Sequence, residues 1–364
     1  MSGPTTAIIV ANPFPVLLAA AAIRAAQAVA AGYANAAALN EEQQGHRKQT
    51  QAELKTAAAK GREFMQQEVN AAEVEFDNLV SLAKRYAADD KIFATRPAQP
   101  EVKDELQLAA YVRSMQALIR ELRSILLTES ALRMDDLGVD DMGVESTLDT
   151  VVAEATAAGS KTTVQRLLAR IAHLGKLPQE ISSVAKEISD APFLDTERAK
   201  LLTNELRMRI QSRVEAEQKH AVQQATALIL QQSLKDLGYQ VEEVSNTLFV
   251  EGGVVHFRRQ GWDNYMVRMR IDPKAGTANF NIIRAVEEAN NERSVLDHLA
   301  EDRWCAEFPA LLQALDVRGV HLNVTRRLEA GELPVQLVQK DKLPKFSEEE
   351  TSARSRQLHS LKIK

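Results

Sequence analysis

The chain has 364 residues, enough for two or three domains that each bury a core of their own. A formal charge of -5 excludes capture of polyanions by bulk electrostatics, so any nucleic-acid role needs a local basic patch. The single cysteine, Cys305, excludes an internal disulfide, which fits a reducing compartment and gives the expectation of a cytoplasmic protein.

In chain order, the apolar run Pro15 to Ile23 has no Lys or Arg before Arg24, so the basic leader of a secretory signal is missing. Arg24 and Gln27 interrupt it short of the roughly 20 apolar residues a membrane span needs, and no transmembrane segment is expected. Asn12-Pro13-Phe14-Pro15 breaks structure ahead of an Ala-rich helix running from Val16 towards Leu39. Its small side chains let neighbouring helices approach closely and offer little area to anchor in lipid. From Asn40 to Gly61 the sequence is polar, a solvated helix or a connection, and residues 1–60 are read together as an Ala-rich and polar helical segment.

Residues 61–190 read as a helical hairpin or coiled-coil-like bundle. Met65, Val69, Ala72, Phe76, Leu79, Ala83 and Tyr86 are spaced alternately by four and three, the seam of a heptad repeat. Pro97 and Pro100 end that helix. The same spacing returns in Leu108, Tyr111, Met115, Leu118, Leu122 and Ile125, and a short link between two matching stripes points to an antiparallel pair. The first stripe, with Met115, Leu118 and Leu122, is the candidate seam for association with other subunits, self or hetero.

Asp135, Asp136, Asp140 and Asp141 do not follow the alternating ligand spacing of a calcium loop and lack its closing glutamate. Gly159-Ser160-Lys161-Thr162-Thr163 lacks the Gly-Lys pair of a phosphate loop and follows helical sequence where a strand is required. Short helices are expected at 164–174 and 178–189. Residues 191–237 then run without Gly or Pro after Pro192 as one connecting helix, apolar at both ends and charged in its middle.

Residues 238–340 read as an α+β domain with a largely antiparallel meander sheet. Strands are expected at 239–244 and 247–250. Val255 and Phe257 alternate with His256 and Arg258; Tyr265, Val267, Met269 and Ile271 alternate with Met266, Arg268 and Arg270; Ala278, Phe280 and Ile282 alternate with Asn279 and Asn281. Gly261 and Asn264 are expected to supply positive φ in the first turn, and Asp272 to Gly276 form the second. A helix follows over Val295 to Leu315, then strands at 321–324 and 335–338. Strands gathered before and after a helix are the mark of an α+β arrangement. Residues 341–364, charged and poor in apolar residues, read as a flexible tail.

Chemistry is sparse. Seven scattered histidines with one cysteine give no metal-ligand spacing, and no metal or other cofactor is expected. Cys305 beside Trp304 on a helix reads as core rather than nucleophile. A helix entering Gly238-Tyr239-Gln240-Val241 and three strands is similar in layout to restriction-enzyme-like folds. Their acidic and lysine positions, however, hold His256, Arg258, Arg268 and Arg270 here, so their catalytic pattern is absent. The strongest candidate surface is Arg258, Arg259, Trp262, Tyr265, Arg268, Arg270, Lys274 and Arg284. In 252–284 six basic residues stand against Asp263 and Asp272, a local charge of +4. Such a patch suits phosphates and stacked bases, or a protein partner, or an acidic helix of the same chain. The expectation is a non-enzymatic structural or adaptor protein. Nucleic-acid binding through the Arg-rich strands is the alternative, and a subunit of a multi-protein enzyme complex the second.

Overall fold

The structure, a computed structural model, describes residues 4–44, 51–86, 89, 91, 93, 96–100, 105–133, 163–190, 196–242, 253–272, 275–287, 294–344 and 346. Two compact units divide the chain: Pro13–Val222, and Met1–Asn12 together with Gln223–Lys364. The first is helical and the second α+β, the expected fold class.

In the helical unit, α1 (Pro13–Gln44), α2 (Gln51–Arg85) and α3 (Glu105–Arg133) pack with α3 against both of the others. The heptad spacing has its cause here. Val69, Ala72, Phe76, Leu79 and Ala83 of α2 are buried, as are Leu108, Tyr111, Met115, Leu118 and Leu122 of α3, while Met65 and Tyr86 at the ends of the stripe are half-buried. Phe76 meets Phe93 edge-on at 5.9 Å between centroids, and Phe14 of α1 meets Tyr86 at the same distance. The Tyr111 hydroxyl donates to Glu73 Oε1 at 3.0 Å, tying α3 to α2. The seam expected to serve association is therefore filled from within the chain.

Helix α1 carries, by length and composition alone, a stretch apolar enough to cross a membrane, Pro13–Ala38. Its residues from Leu18 to Ile23 are buried within the unit, and alanine allows the close approach that buries them. A Cβ added at Gly32 would lie 2.7 Å from Ala110 Cβ of α3, closer than two side chains can stand. A second cluster joins α4 (Thr163–Ile171), α5 (Gln179–Asp190) and the start of α6 (Thr196–Asp236) through Leu167, Ile171, Ile181, Val184, Leu206, Ile210 and Val214. Helix α6 has 41 residues, about 60 Å at the usual rise; residues to Val222 belong to the helical unit and those from Gln223 to the α+β unit. The acidic loop near Asp135–Asp141, the Gly159–Thr162 stretch and the expected strand at 247–250 lie outside the described residues.

The α+β unit is built on one sheet of order β2-β3-β4-β5-β1-β6. Its strands are β1 (Thr5–Ala11), β2 (Tyr239–Val241), β3 (Val254–Arg259), β4 (Tyr265–Asp272), β5 (Thr277–Val286), β6 (Val320–Arg327) and β7 (Gln336–Gln339), with helix α7 (Val295–Asp316) between β5 and β6. The β3-β4-β5 meander is as expected. Gly261 takes φ 80° in its first turn, but the second positive φ, 46°, falls on Asp263 rather than Asn264.

Strand β1 corrects the expectation of a wholly helical segment over residues 1–60. It pairs antiparallel with β5 (Thr5 opposite Phe280) and with β6 (Ala11 opposite Val320), so the N-terminal residues complete the C-terminal sheet. Strand β7 joins the same edge of β5 further along, in parallel, with Ile283 opposite Gln336. The segment expected to be a flexible tail also begins inside the fold. Leu343 and Phe346 are buried with Met266, Ile283 and Ala285, because they roof apolar residues that the sheet turns away from α7.

Ala7 is fully buried in β1. Ala7→Asp puts an unpaired charge in the sheet and is expected to cost on the order of 3 kcal/mol or more. Both tryptophans, Trp262 and Trp304, lie in this unit, so a denaturant titration followed by tryptophan fluorescence should shift to lower midpoint. An unchanged midpoint would refute the central placement of β1.

Candidate partner-binding face of the sheet

Alternation along each strand sends successive side chains to opposite faces, so the eight-residue patch cannot lie on one surface. Arg258 and Arg259 are neighbours and must part.

One face meets α7. Phe257, Phe280, Tyr239 and Trp262 gather with Trp304 and Phe308 of α7, with ring centroids 5.3 to 6.2 Å apart. Trp262 is thus core, not a platform for a ligand. Two polar clamps border this cluster. Arg259 Nη1 donates to Glu307 Oε1 at 2.9 Å while the Tyr239 hydroxyl donates to the other oxygen of Glu307. Arg284 Nη1 at 2.9 Å and the Tyr265 hydroxyl at 2.6 Å both donate to Asp297 Oδ1. Burial, and then the carboxylate that each phenol serves, pushes Tyr239 and Tyr265 above their ordinary pKa. Asp297 also closes the capping box of α7, accepting from the Ser294 amide at 3.0 Å while the Ser294 hydroxyl accepts from Leu296. Arg259, Arg284 and Tyr265 therefore hold an acidic helix of the same chain, one of the readings weighed from sequence.

The other face divides in two. At one end Arg258 is buried. Its Nε donates to Gln240 Oε1 at 3.2 Å, and its guanidinium lies 4.8 Å from the Phe346 ring centre. Arg258 as an exposed contact is corrected by this roof: Phe346 covers it, and with Leu343 packs on Met266, Ile283 and Ala285. At the other end no such cover is described. Arg268 is half-buried and Arg270 exposed, standing opposite Asn281 and Asn279 of β5 and opposite His256 and Val254 of β3. Among the described residues neither arginine has an acidic partner, whereas His256 Nδ1 lies 3.0 Å from Glu242 Oε2. Burial first, and then the nearby Arg270, pulls Arg268 below its ordinary pKa. Thr6 of β1 donates to Asn279 Oδ1 at 2.7 Å, but Asn281 Oδ1 is buried without a hydrogen-bond partner. Lys274 lies outside the described residues.

Among the described residues of the predicted patch, the half-buried Arg268 and the exposed Arg270 are thus the pair that shares a face without an acid. The amides of Asn279 and Asn281 and the roofing Phe346 were missed from sequence. The asparagines carried a signal, since they share the outward phase of β5. Among the described residues no group of three or more His, Cys, Asp or Glu stands where a metal ion fits.

Two substitutions test this geometry. Asp297→Ala strips Arg284 and Tyr265 of a shared acceptor and is expected to cost about 2–3 kcal/mol by chemical denaturation; a loss under 0.5 kcal/mol would reject the clamp. Glu301 of α7 is buried and accepts from the Gly331 amide at 2.7 Å, and burial raises its pKa above the ordinary 4.5. A raised carboxyl contributes most stability below its unfolded-state pKa and loses it as pH climbs through the folded value. Glu301→Gln keeps the acceptor and removes that loss, so its melting temperature relative to wild type should rise between pH 4 and pH 7; a difference flat with pH contradicts the assignment. No protein-family model, curated protein or solved structure matches this chain, so the site is read from its own geometry.

Proposed function

We propose that the chain is a non-enzymatic structural or adaptor protein, acting in the cytoplasm, whose α+β unit docks an acidic protein partner at the Arg268–Arg270 end of its sheet. The observation supporting this is the pair of arginines itself. They stand about 7 Å apart along one strand, on one face and without acid among the described residues, while the other described arginines of the patch hold partners within the fold. Adjacent like charges on a half-buried surface are unfavourable until an anion meets them. The planar fork of guanidinium suits a carboxylate pair, and the asparagines alongside add neutral hydrogen-bonding groups.

Nucleic acid is the second reading, favoured by the same two cations. It is weaker because Trp262 and Tyr265, the aromatics of the predicted patch, turn towards α7 rather than standing beside Arg268 and Arg270. Two phosphate contacts would also give a shallow salt dependence, a slope of about -1.8 on duplex DNA.

The discriminating experiment is a pull-down of wild type beside Arg268→Glu/Arg270→Glu from the native host, with and without nuclease. A protein recovered by wild type, lost from the double variant and insensitive to nuclease is the expected result. Identical recovery by both forms overturns the docking face; loss on nuclease treatment transfers the site to nucleic acid.

A further inference from the structure

The register across the sheet brings a third arginine to the face that carries Arg268 and Arg270. Arg270 stands opposite Asn279, Asn279 opposite Thr6, and Thr6 opposite Arg326, one row running across β4, β5, β1 and β6. Directly opposed residues share a face, so Arg326 lies with Arg270. The next residue, Arg327, lies on the reverse, where its Nη2 donates to the Cys305 carbonyl of α7 at 3.4 Å. Arg326 is exposed and, like Arg268 and Arg270, has no acidic partner among the described residues. Further along β1 on the same face come Ile8 and Val10, 41% and 40% exposed, at positions that antiparallel sheets ordinarily give to polar residues. We infer that this face takes an acidic amphipathic helix of a partner protein, lying along β5 and β1, with carboxylates at Arg268, Arg270 and Arg326 and apolar side chains on Ile8 and Val10.

The backbone decides for a helix. The N–H and C=O groups of a sheet are used in its ladders and lie in its plane, so an extended segment laid on the face finds no main-chain partners there. A helix satisfies its own backbone and presents only side chains. Its dimensions match the site. Three strand spacings separate Arg270 from Arg326, about 14 Å, and their midline falls between β5 and β1. A helix about 10–12 Å across, seated on that midline, has an arginine along each flank. Lengthwise, the row of Arg268, the row of Arg270 and Arg326, then Ile8 and Val10 cover about 20 Å, or about thirteen helical residues. Ile8 and Val10 stand about 7 Å apart, close to the roughly 6 Å between helical residues four apart.

Charge decides for acids at one end of that helix. Three guanidiniums surround the amides of Asn279 and Asn281, and the acid that shares this face, Asp272 at the end of β4, has its Oδ1 engaged by the Ala275 amide at 3.1 Å within its own turn. Carboxylates opposite the arginines form charge-assisted hydrogen bonds, while a neutral helix leaves the cations unmet. The reverse of the sheet is covered by α7, so a helix here completes a helix–sheet–helix arrangement of layers.

This inference rests on the reading that the Arg268–Arg270 end accepts acids, and the test separates the two. Random peptides of about fourteen residues displayed on phage are selected on immobilised full-length protein, and enriched sequences are synthesised and titrated by fluorescence anisotropy. The expected peptides are acidic in one half, carry apolar residues four apart in the other, and turn helical on binding by circular dichroism. Arg326→Glu should weaken them at least about tenfold, and Arg326→Gln, which removes only the charge, about threefold. Ile8→Thr/Val10→Thr keeps β-branched residues in the strand and should weaken them about fivefold. Acidic peptides that bind without becoming helical, or that ignore Arg326 and the Ile8–Val10 pair, overturn the helix; the docking face still stands if Arg268→Glu/Arg270→Glu abolishes their binding. An empty selection, or peptides held equally by wild type and Arg268→Glu/Arg270→Glu, removes the face itself and the inference with it. Unchanged tryptophan fluorescence certifies that each variant is folded.

Discussion

Seating α7 on the sheet is the interaction on which the α+β unit depends. Trp304 lies at the centre of that contact, touching Tyr239, Phe257, Phe280 and Phe308. Large aromatic side chains contribute the greatest buried area per residue, about 150–250 Å² each. Once this face is committed to α7, an arginine projecting into it needs an acceptor on the helix, an acid or, as for Arg327 against the Cys305 carbonyl, a backbone oxygen. Glu307 and Asp297 are those acids, with Arg259 and Arg284 against them, and each also takes a tyrosine hydroxyl.

The position of β1 imposes a second constraint. Pairing Thr5 with Phe280 and Ala11 with Val320 means that residues 13–222 are inserted, in sequence, between the first strand of the α+β unit and the rest of it. Closing so long a loop is entropically unfavourable, and contacts of this separation form late in folding. An insert that folds first shortens the effective loop and reduces that cost. The Ala-rich packing of α1 against α3, with Gly32 pressed on Ala110, supplies such a locally formed body.

The sheet meander and the paired helical stripes were legible because each writes its own period into adjacent residues: two in Tyr265 to Ile271, three and four in Val69 to Ala83. Strand β1 was not legible. Thr5 to Ala11 is a β-branched and apolar run seven residues long, and what makes it a strand is a pair of partners some 270 and 310 residues away. The roof at Phe346 was missed for the same reason, as a lone aromatic in charged sequence gains meaning only from Met266 and Arg258 beneath it. The division of the patch, by contrast, was available in advance. Arg258 and Arg259 are consecutive in a strand and cannot share a face, and that rule alone reduces the cluster before any coordinate is known.

The same reasoning changes what a heptad spacing implies. Val69, Phe76, Met115 and Leu122 require a neighbour to bury them, but the spacing says nothing of whose neighbour it is. Here α2 and α3 bury each other's stripes, and α1 adds to the same unit, so the apolar demand is met inside one chain. The buried residues of these stripes are therefore occupied within the chain. Charge behaves differently: a packed helix leaves its exposed cations as they were, and Arg268 and Arg270 have no acidic partner among the described residues. The heptad spacing thus accounts for packing within the helical unit, whereas the proposed docking of a partner rests on Arg268 and Arg270, which have no acidic partner among the described residues.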